Sequence, residues 1–442
     1  MSADSAVIKP GGPQFDEALR DAVWNGRKPS RQPAAIIRAQ SDQDIVDAVA
    51  LANSSGWNVG VRAGGHAWAA YGVTEGNLLV DLSEMDGIEY DDVTGIVSIE
   101  PGVRSQQLAT FLAGEARYFP GGHCPTVGVS GFTLGGGFGF NSRVVGPASF
   151  SIVAIDAVLA DGELRRYDDA DGADVVWASR GSGPGFFGVV ARLHLQTYEA
   201  PAVVGASMQA YPIALYDQLA PWFLELAEGI DPRVNPVLIG AHLPGQDGTV
   251  LMIANYCFAD SEDEMRGLLQ PLEDCPLIDQ AAVRLPPHIS SIDAQYALLD
   301  QLYPPEHRYL TDNIWAEPDR DGFIAAAKTV FETLPSDRSH AIWAPWVEQR
   351  KDGAAFGLQS RLSMNVYAVY EDEADDQAMM DWHLPAMARI APFSNGGGKV
   401  NDSNLYERPM KVLSDESAAR LEDLRDQYDP DRLFTSYPHK PV

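Results

Sequence analysis

Basic residues are scarce in this chain: 32 Lys and Arg stand against 62 Asp and Glu, a formal net charge of -30 in 442 residues. A surface that acidic repels DNA, RNA and anionic lipid, so neither nucleic acid nor membrane is expected as a partner. Cysteine is scarcer still, with only Cys124, Cys257 and Cys275. An odd and small number argues against a disulfide framework. Cys257, inside ANYCFAD, reads as a buried free thiol, and Cys275, before Pro276, as a loop residue. Long apolar runs are missing: Ile36-Ile37 and Val144-Val145 are far too short to span a bilayer. The opening MSADSAVIKPGG lacks the basic-then-apolar pattern of a secretory signal, so the expected location is cytoplasmic. Internal repeats and low-complexity stretches are absent, and no metal-ligand set is expected.

What remains is an ordinary globular composition, 45% hydrophobic and 21% charged, in a chain too long for one small core. Two domains are therefore expected. Phe15, Ala18, Leu19, Ala22 and Val23 recur at helical spacing. A strand Ala35-Ile36-Ile37-Arg38 precedes a helix that Ser41 or Asp42 caps and Gly56 stops. Short strands follow at 58–62, 78–81, 96–99 and 152–159, with a helix over 106–112. Asp161-Gly162 predicts a two-residue hairpin, since both positions tolerate positive φ. After Pro201 the glycine density falls. Helices over 216–226 (with a kink at Pro221) and 262–269, and longer strands over 250–258, 340–347 and 358–370, predict an α+β region built on an antiparallel sheet. Gly396-Gly397-Gly398 marks a further junction, and 421–428 a final helix.

Glycine is concentrated where ligand chemistry needs bare backbone. Arg62-Ala63-Gly64-Gly65-His66 is a strand end, two glycines and a histidine. Successive glycines let several N–H groups approach one anion. Arg62 either neutralises that anion or only flanks the loop. The second cluster runs from Gly121 to Gly139 and contains Gly122, Cys124, Thr126, Val127, Gly128, Gly131 and Gly136. Glycine at this density costs chain entropy and adds nothing to a core. A long flat ligand lying against backbone accounts for that cost. The interleaved Val127, Val129, Phe132, Leu134 and Phe138 argue against a flexible linker. A third cluster, Arg180 to Val190, closes the region and includes Val189.

These three clusters, in this order, resemble the vanillyl-alcohol-oxidase (PCMH-type) flavoprotein family, and within it the berberine-bridge-enzyme-like branch. The tail Tyr428-Asp429-Pro430-Asp431-Arg432-Leu433-Phe434 is similar to that branch's C-terminal signature. The resemblance is strong over about 33–200 and the last forty or so residues, and vague between. It implies an α+β fold: a PCMH-type FAD-binding domain of two subdomains over 30–200, a substrate domain over 201–395 whose antiparallel sheet is covered by helices, and a segment 396–442 that returns to the FAD domain. It also implies FAD bonded to His66 through the 8α-methyl and to Cys124 through ring C6. The positions of the other cofactor contacts are then Arg62, Ala63, Gly64, Gly65, Gly122, Thr126, Val127, Gly128, Gly131, Gly136, Gly139 and Val189. Val127 falls where valine goes with oxidases and leucine with dehydrogenases, which implies O2 as acceptor. Relatives carry Tyr-x-Asn-Tyr on a strand near the C-terminus, where this chain has Lys399-Val400-Asn401-Asp402. The usual tyrosinate base is therefore in doubt, and Asp402, Lys399 and Tyr406 become the catalytic candidates. On a strand, Lys399 and Asp402 would face oppositely unless it bulges. A solvated loop is the alternative. Tyr309, Trp315, Trp343, Trp346 and Tyr367 are further pocket candidates, each equally at home in a core. The expected reaction is a two-electron oxidation of an alcohol, hemiacetal or amine carbon in a small molecule of secondary metabolism. The oligomeric state has no sequence signal. A dehydrogenase of the same fold, or a non-catalytic acidic binding protein, are the competing readings.

Overall fold

The computed structural model describes residues 7–246 and 248–438. Three larger sheets and one two-stranded pair, Arg117–Tyr118 with Tyr198–Glu199, organise the described residues. The first has three parallel strands, Ala35–Arg38, Leu78–Asp81 and Val59–Arg62, with Leu78–Asp81 in the middle. Parallel neighbours require a crossover. Helix Asp42–Ser55 joins the two outer strands, Ala35–Arg38 and Val59–Arg62: Ser41 Oγ accepts from the Asp44 N–H at its start, and Gly56 at φ 68° ends it. Strand Val59–Arg62 is also held from the far end of the sequence. Val59 N–H donates to Leu433 O at 2.7 Å, and Thr435 N–H donates to Val59 O at 2.9 Å. Asp429 fixes that tail, accepting from the N–H of Leu433 and Phe434 and pairing with buried Arg425. The C-terminal signature is thus a clamp on the strand that leads into Gly64-Gly65-His66.

The second sheet is antiparallel, in the order Ile88–Asp91, Ile96–Ile99, Val189–Gln196, Ile152–Val158, Leu164–Asp168. Its last hairpin departs from expectation. The connection covers 159–163, and Gly162 takes φ 78° while Asp161 does not enter the left-handed region.

The third sheet has seven antiparallel strands: Val283–Ser290, Val203–Pro212, Thr249–Ala259, Val234–His242, His340–Pro345, Leu362–Tyr370 and Arg308–Ala316. Helices Tyr216–Gly229, Glu262–Glu273, Phe323–Glu332 and Asp376–Ile390 cover one face, where Leu238, Ile253, Ile314, Trp343 and Val366 join their apolar stripes in one core. Alternation along each strand turns the intervening residues to the other face. That face meets the glycine-rich loops: the Tyr256 hydroxyl accepts from Asn141 N–H, and Asn313 bonds both backbone groups of Lys399. The mixture is α+β.

Several boundaries move. The two long strands are 340–345 and 362–370, because 346–361 turns away as a loop that carries Trp346 and Phe356 into a separate aromatic cluster. Helix Tyr216–Gly229 runs on through Pro221, and helix Glu262–Glu273 through Pro271. The last helix starts six residues earlier, at Asp415, where Ser414 caps it. Residues 399–402 form no strand: Val400–Asp402 is a single 3-10 turn. Cys257 and Cys275 are both buried free thiols, Cys257 in strand Thr249–Ala259 and Cys275 in the loop after helix Glu262–Glu273, as expected, with its side chain in the helix-covered core. Among the described residues no helix is long and apolar enough to cross a membrane, and no group of three His, Cys, Asp or Glu side chains is placed to hold a metal ion.

Candidate active site

The two glycine clusters meet backbone to backbone. A Cβ on Gly64 would lie 2.4 Å from Gly128 N, and one on Gly128 would lie 2.7 Å from Gly64 Cα. Any side chain would wedge the loops apart, which is why glycine occupies both positions. Arg104 ties the seam, its Nη1 donating to Gly64 O and to Thr126 O, each at 2.9 Å. Nothing in the sequence around Arg104 signals that role.

Thr126 sits at the centre of the seam. Its Oγ1 lies 3.0 Å from His66 Nε2 and 3.5 Å from Cys124 Sγ. The structure thus brings His66, Thr126 and Cys124, some sixty residues apart in sequence, around one point. Trp24 stacks on the His66 ring with centroids 4.7 Å apart. Part of His66 stays accessible, yet its ring is deep in the recess. Burial, reinforced by the charges of Arg104 and Arg62, pushes its pKa down to about 3. The imidazole is therefore neutral and nucleophilic at any physiological pH. Burial pushes the Cys124 thiol up, against the pull of its contact with Thr126.

Other expected contacts fall into place differently. Arg62 is committed to structure: its Nη1 pairs with Asp81 at 2.7 Å, and its remaining nitrogens donate to Asp21 O and Ala22 O. Ala63 and Gly65 continue the loop, with Gly65 at φ 73° against Ala22 O. Gly122 packs beside the Phe132 ring and Ser105, while Gly131 has open space where a Cβ would be. Gly136 adopts φ 103° near Phe138 and Phe356, and Gly139 lies against the carbonyls of Gly121 and Pro120. Val127 N–H donates to Cys124 O, and its carbonyl accepts from Ser105 N–H. Val189 is fully buried beside Val158 and Val80.

Lys399 and Asp402 come together as an ion pair, Nζ to Oδ2 2.9 Å. The 3-10 turn explains it, because residues three apart eclipse there instead of facing oppositely. Tyr406 is elsewhere, stacked on Tyr71 under the Arg31 guanidinium. Around the ion pair lie three groups that sequence reasoning missed, His123, Tyr256 and Tyr303, together with Tyr367, which it had named as a pocket candidate. His123, adjacent to Cys124, feels both Lys399 and Asp402, and burial pushes its pKa down to about 4. Tyr256 OH accepts from Asn141 N–H and lies 3.3 Å from His123 Nε2. Tyr303 and Tyr367 are pushed well above the usual phenol range, by burial first and then by the charge of Asp402. That environment favours the protonated phenol at both. Of the aromatic candidates, Tyr309 and Tyr367 face the loops with Trp68. Trp315 and Trp346 pack with Phe138, and Trp343 is buried on the helix side.

Comparison with known proteins places this geometry. Residues 33–168 match the FAD binding domain family. The FAD-linked oxidoreductase janO of Penicillium janthinellum is 31% identical over 429 residues, covering 95% of this chain and 94% of that protein. The chain belongs to the FAD-linked oxidoreductases. A carbohydrate oxidase of Microdochium nivale is 40% identical over 176 residues, 39% of this chain and 35% of that protein. Among solved structures, Physcomitrella patens BBE-like 1 superposes with a TM-score of 0.86 at 18% identity, over 99% of this chain and 97% of that one. The fold is that of the berberine-bridge-enzyme-like, vanillyl-alcohol-oxidase-type flavoproteins, and the protein is a flavoenzyme. Its cofactor is FAD, and the residues fit it. The seam offers backbone that no Cβ could replace and a neutral imidazole beside a thiol. Ser105 Oγ, buried beside Gly121 and Gly122, has no hydrogen-bond partner among the described residues.

Proposed function

We propose that this flavoenzyme is an oxidase that holds FAD by two bonds, His66 to the 8α-methyl and Cys124 to ring C6, and oxidises an alcohol, hemiacetal or amine carbon of a small molecule. The observation that carries the reading is the Thr126 hydroxyl in contact with both His66 Nε2 and Cys124 Sγ. It sets both nucleophiles within reach of one ring edge. FAD, when bound, supplies the hydride acceptor and passes the electrons to O2. The division of the chain follows: 30–200 and 396–442 hold the cofactor, and 201–395 presents the substrate.

The protein's own groups then have defined tasks. Asp402 receives the O–H or N–H proton of the substrate. Lys399 Nζ, 2.9 Å from it, fixes the carboxylate in place. Tyr303 and Tyr367, kept protonated, donate hydrogen bonds toward the reacting oxygen or nitrogen. Val127, at the position where the family resemblance places valine in oxidases, is assigned to O2 access.

Reoxidation tests the acceptor without knowledge of the substrate. The protein is reduced with dithionite under anaerobic conditions and mixed with aerated buffer while absorbance at the flavin band is followed. Rapid recovery is expected, and Val127→Leu slows it at least tenfold. Slow recovery in the wild type would move the protein to the dehydrogenases, and a colourless protein would favour a non-catalytic role.

A further inference from the structure

His66 is held on one edge by the Thr126 hydroxyl, 3.0 Å from Nε2. The same hydroxyl touches Cys124 Sγ, so that contact serves both nucleophiles alike. The face of the His66 ring is held differently. It stacks on Trp24, with centroids 4.7 Å apart and planes 23° from parallel. The last torsion of a histidine side chain is broad, and one edge contact leaves the ring able to tilt. A stacked aromatic neighbour removes that freedom. The plane matters because the lone pair of an imidazole nitrogen lies in it, and bond formation requires that lone pair to be aimed at the reacting carbon.

Trp24 lies ahead of residues 33–168, which match the FAD binding domain family. It belongs to a strap that follows helix Pro13–Asp21 and is bonded on two sides. Toward the Gly64-Gly65-His66 loop, Trp24 N–H donates to Gly65 O at 2.9 Å, and Arg62 donates to Asp21 O and Ala22 O. Toward the seven-stranded sheet, buried Asn25 accepts from Tyr309 N–H and donates to Tyr309 O, each at 3.0 Å. Gly26 N–H donates to His307 O at 2.8 Å, and a Cβ on Gly26 would lie 2.4 Å from Glu306 O. Backbone bonds and Asn25 thus fix the strap without the Trp24 ring. Tyr309 and Trp68 brace that ring from the sheet side, at centroid distances of 5.3 and 5.8 Å.

We propose that Trp24 is the positioning residue for the His66 bond: its ring sets the plane of the imidazole so that a nitrogen lone pair points at the 8α-methyl, and it has no such part in the Cys124 bond. This rests on the reading that both side chains bond the flavin. Forming the His66 bond replaces the ring N–H and one methyl C–H by a single N–C bond. The two protons and two electrons so released reach O2 as H2O2, O2 being the acceptor of the proposed oxidase.

The two bonds are counted on the same purified protein by acid precipitation, digestion and mass spectrometry, with the Cys124 bond as the internal control for folding and cofactor binding. Trp24→Leu is expected to lower the ratio of His66-bonded to Cys124-bonded flavin about tenfold, since misplacing a reacting group by about an ångström costs up to about 10²-fold in rate. Trp24→Phe, which still stacks, is expected to stay within about twofold of the wild type. Should Trp24→Leu not accumulate, Trp24→Met is scored by the same ratio. A ratio unchanged in the non-stacking variant, whether both bonds persist or both are lost together, would overturn the inference and leave the double-bond reading intact. A wild type bonded at His66 alone loses the double-bond reading. The inference then stands if Trp24→Leu releases flavin into the acid supernatant and falls if it does not. A wild type with no bond at His66 overturns both.

Discussion

At the residue scale the consequential feature is the ion pair between Lys399 and Asp402. A tyrosine base has to ionise, and the buried Tyr303 and Tyr367 show how strongly this pocket resists a phenolate. Asp402→Asn keeps size and shape but cannot accept the proton. With any substrate that bleaches the wild-type flavin, the variant is expected to lower the anaerobic reduction rate by about 10²- to 10⁴-fold, the usual worth of a positioned base. Its flavin content and its reoxidation rate are expected to stay unchanged. A variant reduced as fast as the wild type would return the role to another group. Lys399→Met separates positioning from proton transfer: the turn persists through the Asn313 bonds to the Lys399 backbone, and the rate falls less than in Asp402→Asn. Sequence reasoning reached this pair through its place beside Gly398 and Asn401. Of the two backbones it left open, a strand that would turn them to opposite faces and a loop, the structure has neither a strand nor an extended loop but a 3-10 turn that brings them together. Sequence reasoning passed over His123 and Tyr303, since their roles arise only from three-dimensional neighbours.

At the element scale, legibility followed periodicity and punctuation. The strand into Gly64-Gly65-His66 and the capped helix Asp42–Ser55 were readable because Ser41 and Gly56 bracket a clear apolar pattern. Strands Arg308–Ala316 and Leu362–Tyr370 are buried on both faces, so alternation hardly marks them: the first was missed, and the second was placed four residues too early. Helix Asp376–Ile390 was missed too, since Pro385 lies inside it and its apolar stripe is weak. The glycine clusters were read correctly as backbone approached closely, but the partner was not foreseen. Part of the glycine requirement comes from the other loop, Gly64 against Gly128, and not from a ligand alone. Gly64→Ala tests this. Its Cβ would meet Gly128 backbone at 2.4 Å, so the seam must open, and Thr126 moves away from His66. The expected result is folded protein with bound flavin reduced at least severalfold, read as the ratio of flavin to protein absorbance. Full flavin loading would show that the seam tolerates separation.

At the scale of the whole molecule, folding brings the chain's two ends and its middle to one place. The tail clamps the strand that delivers His66, and the seven-stranded sheet closes over the seam. That assembly also buries histidines in neutral form. Burial pushes His340 and His383 down to about 4 each, and both are almost fully enclosed. In the unfolded chain they bind protons near pH 6.5. Between about 6.5 and 4 the unfolded state therefore holds more protons than the native one, and stability falls as pH falls. Each site is worth of order 3 kcal/mol across that window. The midpoint of urea unfolding is expected to drop steadily from pH 7 to pH 4.5, and His383→Gln, which keeps a donor toward Val366 O, is expected to flatten the slope. A midpoint that holds constant over this range would contradict the buried neutral state.

The central claim is that one flavin is bonded at both His66 and Cys124, and acid denaturation tests it most directly. The purified protein is precipitated with trichloroacetic acid, washed, digested and mapped by mass spectrometry. The account predicts that the yellow colour stays in the pellet and that one FAD-derived mass joins the peptide containing His66 to the peptide containing Cys124. It further predicts that Cys124→Ala keeps the colour on the His66 peptide alone. Colour released entirely into the acid supernatant, or a flavin mass on neither peptide, would contradict it.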